Sequence, residues 1–156
     1  MDELKSVLKQ YAFENISTYI QSGNIVLNSL LPKNEVQLQI ESILKDHFQI
    51  QTDAFVYSFE ELAYILENIP FSKDYPGNKV YITFFNQIPN DEQISLLKNL
   101  DFGEEEWSIN QNILYFYLPN GMASSRWTNA FTEKKLGVKA TGRNRNTLEK
   151  LITLKH

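Results

Sequence analysis

The chain has 156 residues, 42% of them hydrophobic, and a formal net charge of −4. That length suits one compact domain or two small fused ones, with enough apolar side chain for a core. The absence of cysteine excludes disulfides, thiolate metal sites and a cysteine nucleophile, and no apolar run approaches the ~20 residues that span a bilayer, so a soluble cytoplasmic protein is expected.

Leu4, Val7, Leu8, Tyr11 and Ala12 recur at three- and four-residue spacing and predict a helix over 1–13. From Ile16 to Ser29 two β-rich runs flank Gln21-Ser22-Gly23-Asn24, a hairpin signal in which Gly23 and Asn24 can take positive φ. Leu31-Pro32-Lys33-Asn34 is a turn into a second helix over 35–48, with Val36, Leu38, Ile40, Ile43, Leu44 and His47 at periodic positions. A lone histidine near a helix end is read as structural rather than as a ligand. Asp53–Tyr57 reads as a strand. Ser58 caps a helix through Asn68, with Glu61 completing an S-x-x-E capping box. Residues 69–78 carry two prolines and a glycine and mark the boundary between halves 1–70 and 77–156, which could also form one compact unit.

KVYITFFN, 79–86, is a strand. Pro89-Asn90-Asp91 opens a helix through Leu100. Residues 104–109 and 113–118 are strands joined by Asn110-Gln111-Asn112, and Pro119-Asn120-Gly121 is a loop. A helix over 124–136 follows, with Ser124 or Ser125 as cap and Trp127, Ala130, Phe131 and Leu136 on its apolar face. Lys134 and Lys135 suit its last turn and Gly137 its termination. A short strand over 138–141 leads to a last helix over 147–154, capped by Asn146 with Glu149 three residues on.

The second half therefore reads β-α-β-β-α-β and then a closing helix, the ferredoxin-like split order. The first half reads α-β-β-α-β and then a helix, the same order without its first strand. The expectation is an α+β protein of two ferredoxin-like halves made by internal duplication, with a C-terminal helix. The missing strand points to a start site read late or a natural deletion. Its slot would be open to another segment or a neighbouring chain.

Charge is divided unevenly. Residues 122–156 carry net +6 and the remainder −10. A basic face could meet phosphates, whereas the acidic total argues against a dedicated duplex-DNA binder. Arginines stand at both late helix starts: Arg126 in the first, Arg143 and Arg145 before the second. Helix N-termini beside guanidinium groups can hold anions. Two groups of residues are thus candidate ligand contacts. One is the hairpin, Tyr19 with Gln21, Ser22, Gly23 and Asn24. The other is Arg143, Asn144, Asn146 and Thr147, with Arg126 as a further wall. Each also has a plain alternative, since asparagine and glycine serve turns and caps.

TYIQSGNIVLNS, LYFYLPNG, WTNAFTEKKLG and ATGRNRNTLEKL resemble segments of the bacterial family known as domain of unknown function 1697, in order and over nearly the whole chain. The resemblance implies a bacterial soluble protein of unknown function with a duplicated α+β fold. Family members typically begin with a further strand and loop of the type YIALLRGINVGG, which this sequence lacks. A family pattern T-x-R-N-W-N-T stands here as Thr141-Gly142-Arg143-Asn144-Arg145-Asn146-Thr147, with Arg145 in the tryptophan's place. A family R-S-K segment stands here as Ser124-Ser125-Arg126, which departs from it in order and in the position of the charge.

Three functional classes follow. The first is a binding module for a phosphate-containing ligand, a nucleotide or single-stranded nucleic acid, which Tyr81, Phe84, Phe85, Tyr115, Phe116 and Tyr117 would support if solvated on a sheet. The second is an interaction module that associates with copies of itself through a sheet edge. The third is an enzyme. No catalytic, cofactor or metal signature is found, so anion binding ranks ahead of catalysis, and neither a cofactor nor a membrane partner is expected.

Overall fold

The computed structural model describes residues 2–19 and 23–155. It is a mixed α+β structure with two sheets, in two compact units. The first unit takes residues 1–64 and 149–156, the second residues 65–148. Among the described residues no helix is long and apolar enough to cross a membrane.

In the first unit, helix α1 (Asp2–Leu8) precedes an antiparallel hairpin of β1 (Glu14–Tyr19) and β2 (Asn24–Asn28). α1 is shorter than its periodicity predicts, since residues 9–12 continue it only as turns. Helix α2 (Lys33–Phe48) starts after Pro32 and ends at Gln49 with φ 54°. Leu8, Phe13, Ile16, Val36, Ile40 and Ile43 form the core between hairpin and helices. His47 serves structure, its Nε2 lying 3.0 Å from the Tyr11 hydroxyl.

Asp53–Tyr57 forms no strand, contrary to the sequence expectation. Its amide at Ala54 donates to Glu41 Oε2 at 2.8 Å, a side chain of α2 rather than a neighbouring strand. Extended backbone without a ladder is not a strand, whatever its propensity. Helix α3 (Phe59–Glu67) then opens on the capping box foreseen for it. Glu61 N–H donates to Ser58 Oγ at 3.1 Å, and Ser58 N–H to Glu61 Oε1 at 2.9 Å.

The second unit holds β3 (Val80–Phe85), α4 (Asp91–Lys98), β4 (Glu106–Asn110), β5 (Ile113–Tyr117), α5 (Asn129–Leu136) and β6 (Ala140–Asn144). All its strand pairs are antiparallel, in the order β4-β5-β3-β6. Phe85, Leu114 and Phe116 on the sheet pack against Leu97 of α4 and Leu136 of α5, with Trp127 between them. Trp127 has no exposed surface and stacks on Phe102 and Phe116 at 4.7 and 5.3 Å.

α5 begins five residues later than its sequence predicts, because both proposed caps are engaged elsewhere. Ser124 Oγ donates to the Asn120 carbonyl at 2.8 Å, and Ser125 Oγ accepts from Trp127 N–H at 3.0 Å. Thr128 is the cap, accepting from Phe131 N–H at 3.1 Å. Gly137 ends the helix at φ 64° as foreseen. Thr128→Ala is therefore expected to lower stability by about 1 kcal/mol, whereas Ser124→Ala stays within about 0.5 kcal/mol. Urea unfolding of the two variants checks which residue is the cap.

The last helix also differs. α6 (Arg145–Ile152) follows β6 directly, and Asn144 rather than Asn146 caps it, accepting from Thr147 N–H at 2.9 Å. Asn146 is held against Gly77, where a Cβ on residue 77 would overlap its side-chain carbonyl. Beside it Arg145 donates to the Tyr75 carbonyl at 2.8 Å. Tyr75 in turn stacks on Tyr117 at 3.7 Å and donates its hydroxyl to Glu106 at 2.5 Å. That bond raises the phenol above its ordinary pKa, because the carboxylate favours the protonated form. The loop before β3 is thus tied down at three points.

Candidate functional site

β6 is an edge strand. The outward amide and carbonyl of Ala140 are both taken by α5: Glu133 Oε2 accepts the N–H at 2.8 Å, and Asn129 Nδ2 donates to the carbonyl at 2.9 Å. Backbone groups alternate along an edge, so Gly142 and Asn144 also point outward. Arg143 Nη1 reaches the Gly142 carbonyl at 2.7 Å and Thr141 Oγ1 at 2.8 Å. The guanidinium therefore lies along the sheet edge rather than extending into solvent. Burial pulls its pKa below the ordinary value, since a desolvated cation is disfavoured.

Between this strand and the start of α5 lies a cavity of about 380 Å³. Its sheet side is Tyr81 and Thr83 of β3, Phe116 of β5 and the segment Thr141–Asn144 of β6. Its other wall is Trp127, Thr128, Asn129 and Thr132, with Met122 at one end. Thr83 stands opposite Gly142 in the β3–β6 register. A Cβ at Gly142 would come within 3.0 Å of Thr83 Oγ1, so glycine keeps that hydroxyl uncovered. Thr83 and Thr132 are 3% and 2% exposed.

Of the residues singled out from sequence, Arg143 and Asn144 line this cavity. Thr147 is the residue whose amide Asn144 caps. Asn146 is held on Gly77. Arg126 is spent on the Asp101 carbonyl at 2.6 Å and the face of Phe102 at 5.2 Å. The hairpin belongs to the first unit. There Gly23 takes φ 83°, and Asn24, 7% exposed, donates to the Tyr19 carbonyl at 3.0 Å. Gln21 and Ser22 lie outside the described residues.

Sequence reasoning missed Thr83 and Thr132. Threonine in a strand or helix carries no site signal of its own. Gly142 marks the close approach, but it lies one residue beyond the strand predicted over 138–141 and falls inside β6 only in the structure. The aromatic series resolves plainly: Phe84, Phe85, Tyr115 and Phe116 are buried, while Tyr81 and Tyr117 are half-buried. Tyr115 donates its hydroxyl to the Ile65 carbonyl at 3.0 Å.

A search of curated proteins finds no match. Among solved structures, the conserved bacterial protein SP0830 from Streptococcus pneumoniae is similar in fold, with a TM-score of 0.75 over 99% of this chain and 87% of that one, at 21% identity. The family model described as protein of unknown function (DUF1697) matches residues 1–115, which include the hairpin, both helices after it and β3 to the start of β5. The chain belongs to the DUF1697 family.

Proposed function

We propose that the second unit binds a small phosphate-bearing or otherwise anionic ligand at the β6 edge of the cavity, with Arg143 as the anion contact. One observation carries this reading. The Thr141–Asn144 segment lines a concave site together with the first turn of α5, and it brings a partly desolvated guanidinium there. An anion would offset that desolvation, and the orphan amides of a helix start add to the attraction. Asn144 contributes its amide and caps Thr147, while Asn146 and Arg126 are engaged at Gly77 and at Asp101.

Thermal shift at low salt tests the proposal, using inorganic phosphate and ribose 5-phosphate against the parent and Arg143→Gln. Saturation at ~100 times the dissociation constant contributes about 2.7 kcal/mol to stability. A rise in Tm in the parent that is lost in the variant supports the site. No rise with either probe removes it.

The same reading takes residues 1–70 and 77–156 as the halves of a ferredoxin-like duplication, bounds that differ from those of the compact units, which place 149–156 with the first. The β4-β5-β3-β6 order supports it for the second half. In the split order the last strand pairs only with the first. Asp53–Tyr57, the last strand expected in the first half, forms no ladder among the described residues. A cytoplasmic setting is proposed from the lack of cysteine. Recognition of single-stranded nucleic acid by solvated sheet aromatics is disfavoured, because most of those rings are core. Self-association through a sheet edge is directed to β4, since β6 is covered at Ala140 and at the Gly142 carbonyl.

A further inference from the structure

The polar groups inside the cavity are of a different kind from the cation at its rim. Arg143 is the one charged residue among those lining it, and its guanidinium runs along the strand edge. Inside stand the hydroxyls of Thr83 and Thr132. Both residues are almost wholly buried and line the cavity. A hydroxyl that faces a cavity can be met by a polar group of whatever enters. Each can donate and accept, which suits a group offering both functions, whereas a phosphate at neutral pH chiefly accepts. Asn144 spends its Oδ1 on the Thr147 amide, and so presents its Nδ2 donors.

The rest of the lining is aromatic. Tyr81, half-buried, stacks on Phe116 with centroids 5.3 Å apart and planes 21° from parallel. Such a face accepts another flat ring. At Gly142, opposite Thr83, the strand carries no side chain to block it. The volume, about 380 Å³, lies in the usual range for small-molecule sites.

From this we infer that the cavity takes an uncharged planar heteroaromatic ring bearing both hydrogen-bond donors and acceptors, of the nucleobase type, with the ligand's phosphate at the Arg143 rim. The inference rests on the anion site proposed above and names its ligand class. The ring could come from a mononucleotide or from a nucleotide within a single strand.

The test measures binding of the four ribonucleoside 5′-monophosphates, ribose 5-phosphate and short single-stranded homo-oligonucleotides. The proteins are the parent, Thr83→Val and Gly142→Val, with circular dichroism confirming that each variant is folded. At least one mononucleotide should bind ~10-fold tighter than ribose 5-phosphate, the ring supplying the difference. Thr83→Val, which removes only the hydroxyl, should erase most of that preference and leave ribose 5-phosphate unchanged. Gly142→Val should do the same by covering the hydroxyl, so either folded variant suffices. Tighter binding of an oligonucleotide than of its mononucleotide, with the same sensitivity to Thr83→Val, would assign the ring to a single strand. Equal binding of mononucleotides and ribose 5-phosphate overturns the ring and leaves the anion site standing. A ring preference indifferent to both variants places it outside this cavity. No binding by any probe overturns both readings.

Discussion

Trp127→Ala should lower the unfolding free energy by about 3–5 kcal/mol, the range for truncating a large buried aromatic. Trp127 has no exposed surface and touches rings on four sides: Phe102 and Phe116 stacked, Phe131 edge-on at 5.5 Å, and Trp107 tilted at 5.7 Å. It lies between the sheet and α5 and is one residue ahead of the cap of that helix. Truncation leaves a cavity that three separate elements would have to close, so relaxation recovers little. The indole N–H is buried without a hydrogen-bond partner. Trp127→Phe removes that orphan donor along with part of the volume, and should cost clearly less than the alanine variant. Both variants remove the orphan donor, so urea unfolding of the two reads the contribution of ring volume. Equal losses would show that the volume kept by phenylalanine adds nothing to stability.

Gly77→Ala should cost about 1–3 kcal/mol, as overpacking does in a well-filled site. Gly77 is buried, and its missing Cβ is the space that the Asn146 side chain occupies. The loop cannot retreat easily, because Tyr75 is stacked on Tyr117, bonded to Glu106 and held by Arg145. The expected signature is non-additivity: Gly77→Ala combined with Asn146→Gly should be more stable than the sum of the two single losses implies. An additive double variant would mean that the alanine strains the backbone rather than Asn146.

The sequence was most legible where one residue had one use. Ser58 and Glu61 make a reciprocal box through Oγ and Oε1, and both bonds are present, Lys33 taking only the other carboxylate oxygen. Gly137 was readable for the same reason. Legibility failed where several residues could fill one role. Ser124, Ser125 and Thr128 are all acceptable caps, and burial of Trp127, which draws its amide to Ser125, decides among them. Asn144 and Asn146 are equally good at the start of α6, and the close approach at Gly77 claims the second. Asp53–Tyr57 has strand composition, yet pairing is a property of the neighbour, which one segment cannot reveal. At the site, the Thr141–Asn144 motif was visible as chemistry. The threonines opposite it were not, because only the β3–β6 register and the start of α5 bring them there.

The clasp of α5 on β6 has a consequence for how copies of this sheet could add together. A ribbon with two open sides can lengthen without limit; a ribbon with one side sealed cannot. Asn129, Glu133 and Arg143 occupy the N–H and carbonyl of Ala140 and the carbonyl of Gly142, groups that a further strand would need at β6. Strand addition to this sheet is thereby favoured at β4, and two β4 strands meeting about a two-fold axis would use up the sites on both. The seal acts as a chain terminator. Growth through this sheet ends at a pair, which separates reversible dimerisation from fibre formation at the cost of three side chains.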